Sequence, residues 1–320
     1  MSLTAVPPGL DSWFETALRN LVRGNASGFG HLLDSHEEPV TIDGTKTTVR
    51  THFVASDAMG RPAVDQFASA VASSITDFCI PRSRLTKALE SWQSTGSTSE
   101  IVRLERQARS LFVASEESGE GGELLLFILM EQMLGLPQLM SKMNLKTSTA
   151  MHVHGADGVH GALGPDGVLE LYWGESKLHK STSSAVAECF ESLAPFLVEQ
   201  GGETRRQDLL LLNENLNVDG QKLAAHLIRY FDESDPLSLK VRFRGVGLVG
   251  FDHASYPNVM AMSETEAKRT VSAVRRWNAS IGSHVSINKL SEISIEIFCI
   301  PFPSVALLRA AINREIGVAK

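Results

Sequence analysis

The chain has 320 residues, of which 43% are hydrophobic and 21% are charged, and its formal net charge is −7. This composition is typical of a globular protein, and no apolar run approaches the roughly 20 residues of a membrane-spanning helix. The acidic balance excludes a protein that coats nucleic acid through bulk positive charge, although an enzyme with a local basic surface remains compatible with it. Widely spaced cysteines in apolar settings predict buried thiols and a reducing, cytoplasmic location; they are Cys79, Cys189 and Cys299.

Residues 1–97 are predicted to form a helical and strand segment that packs on the core, and residues 98–320 are predicted to form the main domain. The polar run from Gln93 to Thr98 marks the expected boundary. Within the first segment, the apolar pattern predicts helices over 10–22, 62–78 and 83–92 and a strand over 48–56.

Strand and helix patterns alternate after this boundary, which predicts an α/β fold with a mixed sheet. Glu123 lies in the first turn of a helix that runs to Leu134 and is apolar on every side, so we expect this helix to be buried. The turn residues Gly164–Gly167 separate two strand patterns, which predicts a hairpin of residues 151–163 and 168–178. Further helices are predicted over 100–117, 181–199, 206–212, 220–231, 263–281 and 304–316, and further strands over 239–251 and 291–301, the last of them half-buried.

Glu175 and Lys177 lie two residues apart on an apolar strand, so their side chains project from the same face. Two charges at the end of an apolar face cost free energy unless they pair or bind an ion. Asp157 lies on the other strand of the hairpin, and Glu123 lies on the buried helix. Three carboxylates and a lysine are groups with which a nuclease can hold Mg²⁺ beside a phosphodiester. The pattern therefore predicts a divalent-metal nuclease centre.

This hypothesis sets a condition on the register of the hairpin. With a connection of only Gly164–Gly167, Asp157 would pair with Gly174 and face away from Glu175. A connection that also includes Val168, or a β-bulge, would place Asp157 opposite Glu175. We predict such an adjustment.

Several of the candidate residues also have a purely structural interpretation. A glutamate such as Glu123 is favoured in the first turn of any helix by the helix macrodipole, and Asp157 precedes a glycine, as turn residues often do. His160 fits a structural histidine better than a residue that contacts phosphate. The flanking cations either contact phosphate or are solvated; they are Lys142, Lys146, His179 and Lys180.

The order of a helix glutamate, an aspartate and Glu-x-Lys resembles the PD-(D/E)xK nuclease superfamily. More narrowly, the sequence is similar to the HamA C-terminal-like family in three segments: Gly119–Met130, His154–Gly161 and Trp173–Lys177. The segment Ile295–Ser304 is similar to the end of that family's domain, and the whole resemblance covers Thr48–Gly317. Ala156 stands where the superfamily usually has a proline before the aspartate.

This resemblance implies a restriction-endonuclease-like core with flanking helices and an N-terminal extension. It implies a DNase that uses Mg²⁺ or Mn²⁺, with Glu123, Asp157 and Glu175 as metal ligands. Lys177 would position the nucleophile or stabilise the transition state. The resemblance also implies the nuclease subunit of a Hachiman-type antiphage system, which works beside a HamB-type helicase and is held in check until that partner senses DNA. The acidic net charge fits DNA that is delivered by a partner.

Two other functions compete with this interpretation. His152 and His154 have the spacing of a zinc-hydrolase pair, but such enzymes carry this pair early in a barrel whose later units are not evident here. The second alternative is a nuclease fold that acts only as a binding subunit. Such a subunit would normally have lost an acid or the lysine, and none is missing from this sequence.

Overall fold

The computed structural model describes residues 10–24, 29–112, 118–141, 143, 155–198, 203–253, 256 and 264–318. Its α-helices are α1 (Leu10–Arg19), α2 (Val64–Ser73), α3 (Ile75–Cys79), α4 (Arg82–Thr95), α5 (Ser99–Ser110), α6 (Glu120–Ile128), α7 (Thr182–Leu197), α8 (Glu203–Glu214), α9 (Gln221–Phe231), α10 (Glu264–Ile287) and α11 (Val305–Ile316). A π-helix (Leu129–Met133) continues α6, and a 3₁₀-helix (Pro236–Lys240) precedes β7. The strands are β1 (Leu33–Ser35), β2 (Val40–Thr41), β3 (Thr47–Val54), β4 (Gln138–Ser141), β5 (Gly158–Leu163), β6 (Leu169–His179), β7 (Val241–Asp252) and β8 (Ile295–Phe302).

The strands of the described residues form one mixed sheet of eight strands in the order β1-β3-β8-β7-β6-β5-β4, with β2 beside β3. Strands β3, β8, β7 and β6 pair in parallel, whereas β6-β5, β5-β4 and β3-β1 pair antiparallel. Parallel neighbours need crossover connections, and these contain the helices that cover the sheet. The structure confirms the predicted α/β fold with a mixed sheet flanked by helices.

Helices cover both faces of the sheet, and successive residues of β7 therefore enter different cores. Val246 and Leu248 pack in the core that contains residues of α2, α6 and α11. Val249 and Phe251 pack in the core that contains residues of α7 and α10. Burial on both faces is the usual state of parallel strands, and it explains why β7 carries apolar side chains at successive positions.

Strand β8 is more deeply buried than its sequence predicted. The alternation from Ser291 to Pro301 indicated a half-buried strand, but every residue of β8 except Glu296 is buried. The prediction was wrong because β8 lies between β3 and β7, with apolar cores on both sides. Glu296 is accommodated there because it accepts a hydrogen bond from Arg50 of β3, with 2.9 Å between Nε and Oε2.

The sheet joins residues from both sides of the predicted domain boundary at residue 97. Strand β3 comes from the first segment and pairs with β8 over five residues. The division into 1–97 and 98–320 stays a prediction, and the hydrogen-bonded sheet is continuous across it.

The apolar patterns of the sequence are satisfied by burial in the two cores. Residues Leu124–Met130 of α6 and the π-helix are buried at every position, which confirms the predicted all-round burial of this segment. The three cysteines are buried thiols, as predicted. Among the helices of the described residues, none is both long enough and apolar enough to span a membrane.

Candidate functional site

Glu175 and Lys177 form an ion pair near the end of β6, with 2.7 Å between Oε1 and Nζ. The side chain of Glu175 is only 7% exposed, and that of Lys177 is 26% exposed. Burial is the largest single influence and lowers the pKa of Lys177, but the charge and hydrogen bond of Glu175 and the charge of Asp157 together outweigh burial and raise this pKa above its ordinary value. Lys177 is therefore a protonated cation at neutral pH. We call these two residues the Glu175–Lys177 pair.

Asp157 lies beside this pair because the hairpin has the predicted five-residue connection. Leu163 pairs with Leu169 and Gly158 pairs with Gly174, so the same register places Asp157 opposite Glu175. The main-chain N–H of Asp157 also donates to the carbonyl of Gly174 at 2.9 Å. The structure thus confirms the adjustment of the hairpin that the sequence required.

Ser176, the residue between the members of the pair, holds the carboxylate of Asp157 against β6. Its main-chain N–H and its hydroxyl both donate to Oδ2 of Asp157, at 2.8 and 3.1 Å. The negative charge of Asp157 also contributes to the raised pKa of Lys177. Asp157, Glu175 and Lys177 therefore form one local group of charges.

Glu123 approaches this group from the other face of the sheet. Gly122 of α6 packs on β6 so closely that an added Cβ would lie 3.1 Å from the hydroxyl of Ser176. This contact brings the first turn of α6 to the end of β6, and Glu123 lines a narrow crevice that Asp157 also lines. The helix thus carries Glu123 to the crevice that Asp157 lines, and its role at the site stays a prediction.

The Glu175–Lys177 pair faces α7. Trp173, two residues earlier on the same face of β6, stacks on Phe196 of α7 with 5.2 Å between the ring centroids. The thiol of Cys189 lies 3.9 Å from the main-chain oxygen of Glu175. Burial and the charge of Glu175 raise the pKa of this thiol far above its ordinary range, so Cys189 is a neutral packing residue and not a nucleophile.

The structure brings the four predicted residues to one region but does not gather three ligands around one point. Within the described ranges, no three side chains of His, Cys, Asp or Glu form a group that could hold a metal ion. Asp157 links the two faces, with Glu123 on one side and the Glu175–Lys177 pair on the other. The donors are all carboxylate oxygens, which is the chemistry that Mg²⁺ and Mn²⁺ prefer. The metal site stays a prediction.

His160 has a structural role. It is 1% exposed, and its Nδ1 lies 2.7 Å from the carbonyl oxygen of Leu136. Because a carbonyl can only accept, Nδ1 carries the proton. Burial lowers the pKa of His160 to about 3, so the ring is neutral at physiological pH.

Of the flanking residues, His179 has its Nε2 3.0 Å from Oε2 of Glu188, and Lys180 is exposed. The positions of Lys142, Lys146, His152 and His154 lie outside the described residues.

A buried polar network behind the crevice was not predicted. Glu131 of the π-helix is 1% exposed and lies 3.1 Å from Nη2 of Arg82 and 3.6 Å from Nε of Arg23. It also accepts a hydrogen bond at 3.0 Å from the main-chain N–H of Gln138, which lines the crevice. Asn217 bonds both Arg82 and Gln138. Because these residues are scattered along the chain, no local pattern in the sequence could reveal the network.

Together, the fold and the site define a class: a mixed-sheet α/β protein in which a helix acid, a hairpin acid and a Glu-x-Lys strand meet. The sequence model of the HamA family matches residues 29–316, so the chain belongs to the HamA family, a component of Hachiman antiphage defence. The matched residues begin before Thr48, where the resemblance in the sequence begins, and they lie on both sides of the predicted boundary at residue 97. No curated protein sequence matches the chain.

Proposed function

We propose that this protein is a metal-dependent DNA nuclease and the effector subunit of a two-component Hachiman system. The observation that carries the proposal is the Glu175–Lys177 pair held beside Asp157. Glu175 and Lys177 lie near the end of a strand face that Leu169, Leu171 and Trp173 make apolar. A buried ion pair is often no more stabilising than packed apolar side chains, so stability alone does not explain why this pair is there. Membership of a defence family supports an effector role.

The metal, Mg²⁺ or Mn²⁺, would be held by Asp157 and Glu175, with Glu123 as the third carboxylate. When bound, such an ion lowers the pKa of water and neutralises charge on the attacked phosphate. Ser176 holds Oδ2 of Asp157 in place, so this carboxylate does not have to be ordered when a ligand arrives.

Lys177 supplies a fixed positive charge. Glu175 holds its Nζ at 2.7 Å and keeps it protonated. A half-buried ammonium group is more effective than a solvated one in stabilising the charge that develops on a phosphate in the transition state, because water screens it less. The same group can orient the attacking water by hydrogen bonding.

The partner in this proposal is a helicase, and the substrate is DNA in the cytoplasm. The net charge of −7 gives the chain little general attraction to a polyanion. A second subunit that moves along DNA would deliver the substrate and release the nuclease only when it encounters damaged or invading DNA.

The test is degradation of plasmid DNA by the wild type and by Lys177→Ala, each with Mg²⁺ or EDTA and with or without the helicase. We expect activity only with metal, and we expect Lys177→Ala to reduce the rate by about 100-fold or more because a transition-state charge contact is lost. The control is Lys87→Ala, which removes an exposed lysine of α4. Activity that survives both EDTA and Lys177→Ala would reject the proposal. Normal phage defence by Lys177→Ala in cells would indicate a non-catalytic subunit.

A further inference from the structure

A second concave surface lies where the first half of α10 meets the end of β7. This groove has a volume of about 610 Å³, and we call it the α10 groove. The lining residues that matter here are His253, Thr265, Lys268, Arg269, Ser272 and Arg276. It is distinct from the crevice of Glu123 and Asp157, and nothing in the nuclease motif involves it.

The α10 groove is positively charged although the chain as a whole is acidic. Lys268, Arg269 and Arg276 are exposed and line it, and Glu266 is the one carboxylate among its described lining residues. Lys268 is partly neutralised because it pairs with Glu264 at 2.6 Å. The two arginines are therefore the main source of positive charge in the groove.

The two arginines are available for a ligand. Nη1 of Arg276 donates to the hydroxyl of Ser272 at 3.0 Å, which uses one of its five N–H groups. Arg269 makes no hydrogen bond or ion pair with another residue that the structure describes.

The polar residues of the groove form a single stripe along α10. Thr265, Arg269, Ser272 and Arg276 follow one another at intervals of four, three and four residues, which places them on one face of a helix. Arginine and hydroxyl side chains in a row are the groups that contact successive phosphates of a nucleic acid backbone. A single small anion would not need a row of this length.

The groove and the Glu175–Lys177 pair lie on the same face and at the same end of the sheet. Trp277 of α10 packs edge-on against Phe251, and β7 places Phe251 and His253 on the α7 face, as β6 does Lys177. Lys177 is level with Val249 in the parallel register, so His253 lies about 13 Å farther along the strand direction. That distance corresponds to about four nucleotides of a DNA strand.

From this arrangement we infer that the α10 groove binds the phosphate backbone of DNA and guides the strand to the Glu175–Lys177 pair. The inference rests on the proposed nuclease function, because that function identifies DNA as the ligand. It adds a binding site that the acid–lysine motif does not contain. It also explains how an acidic chain holds a polyanion locally.

The test measures binding separately from cleavage. A fluorescent DNA duplex is titrated with the full chain in EDTA, and anisotropy gives Kd over a range of salt concentrations. Arg269→Glu/Arg276→Glu is compared with Arg103→Glu/Arg106→Glu, which changes the net charge equally at exposed positions of α5. We expect the substitutions in the groove to raise Kd about tenfold or more. The slope of log Kd against log salt concentration, which measures the counterions released on binding, should correspond to about two fewer ions. The control should stay within about twofold of the wild type.

A milder variant, Arg269→Gln/Arg276→Gln, guards against misfolding caused by the introduced acids and should weaken binding in the same direction. Equal losses in the groove variants and in the control, or no loss in any variant, would overturn the inference. If the wild type cleaves DNA and the groove variants bind and cleave it normally, the DNA-binding role of the α10 groove is rejected and the nuclease function is not. A wild type that binds DNA through the groove but never cleaves it would overturn the nuclease function alone.

Discussion

Ser176 shows how a residue that carries no charge can decide the geometry of a charged site. Its N–H and hydroxyl both donate to Oδ2 of Asp157, and it lies between Glu175 and Lys177 on β6. Nothing in the sequence distinguishes this residue, because the middle position of Glu-x-Lys has no required side chain.

We expect Ser176→Ala to reduce the affinity for Mn²⁺ by about tenfold, the usual cost of losing a hydrogen bond that orients a metal ligand. The measurement is calorimetric titration of the full chain with Mn²⁺, and the thermal unfolding midpoint shows that the variant is folded. Ser73→Ala, which removes an exposed hydroxyl from α2, is the control and should bind like the wild type. Equal affinities in all three proteins would contradict the positioning role.

The buried imidazole of His160 makes stability depend on pH. Its native pKa is about 3, below the ordinary value of 6.5, so on acidification the unfolded chain takes up a proton before the native state does. The stabilising contribution is therefore complete above about pH 6.5 and is lost as the pH falls towards 3. Within that window the free energy of unfolding should fall by about 1.4 kcal/mol per pH unit on account of this residue.

Urea unfolding between about pH 6 and pH 4 measures this effect. We expect the free energy of unfolding of His160→Phe to change less steeply with pH than that of the wild type, by about 1.4 kcal/mol per pH unit. If the two slopes agree, burial of the neutral imidazole is not the source of the acid sensitivity.

At the scale of elements, the glycines of β7 allow α7 to lie close to the sheet. A Cβ on Gly247 would come within 2.8 Å of the thiol of Cys189 and 2.7 Å of Ile297, which is closer than real contacts allow. Gly247 is level with Glu175 in the parallel register. The position of α7 over the Glu175–Lys177 pair therefore depends on this close approach.

We expect Gly247→Ala to lower the free energy of unfolding by about 1–3 kcal/mol because the core is overpacked. Gly121→Ala is the control, since its Cβ would lie 3.5 Å from Ile312 in ordinary contact. That substitution should stabilise α6 by about 0.5 kcal/mol or less, because Gly121 lies in the first turn and the full gain of alanine over glycine applies to the helix interior. Urea denaturation of both variants measures the two changes in the free energy of unfolding, which should have opposite signs. Changes of the same sign would contradict this explanation.

The sequence predicted most elements correctly because periodic burial is a local property. The helix from Pro62 to Phe78 was placed correctly, although the structure divides it into α2 and α3. The four residues of β4 and the π-helix were not predicted, because a segment this short has no period and a π-turn has no sequence pattern. The burial of β8 was predicted wrongly because it depends on neighbours that are distant in the chain.

The site was predictable to the extent that it is local. The length of the hairpin connection determines that Asp157 lies opposite Glu175. A count of residues gave two possible registers, and the requirement that the two carboxylates share a site led to the correct one. Whether Glu123 and the pair share one metal ion depends on how α6 and α7 lie on opposite faces of the sheet. Such packing across the sheet has no counterpart in the order of residues, so the metal site stays a prediction.

At the scale of the whole molecule, Glu131 connects parts of the chain that are far apart in sequence. Arg23 follows α1, Arg82 begins α4 and Gln138 begins β4, and all three contact the Glu131 carboxylate. Burial and the charge of Arg23 lower the pKa of Arg82 to about 10, so Arg82 stays charged at neutral pH. The buried cation of Arg82 and the partly buried cation of Arg23 therefore depend on one buried carboxylate.

We expect Glu131→Gln to lower the free energy of unfolding by about 3–5 kcal/mol, because the buried guanidinium group of Arg82 and the partly buried one of Arg23 lose their counter-charge. Glu15→Gln, which breaks the exposed pair of Glu15 and Arg19, should cost about 0.5 kcal/mol or less. Urea midpoints of the two variants give the comparison. Similar small losses in both would mean that the network does not tie these segments together.

The parallel pairing of β3 with β8 also bears on how the protein is made. Arg50 and Glu296 bond each other across 246 positions of the chain. While the ribosome is still translating the middle of the message, β3 has β1 and β2 on one edge, but its other edge has no partner, and such open edges favour aggregation. The gap between β3 and β7 is filled only when β8 has been translated. A fragment that stops before β8 would therefore leave the facing edges of β3 and β7 unpaired.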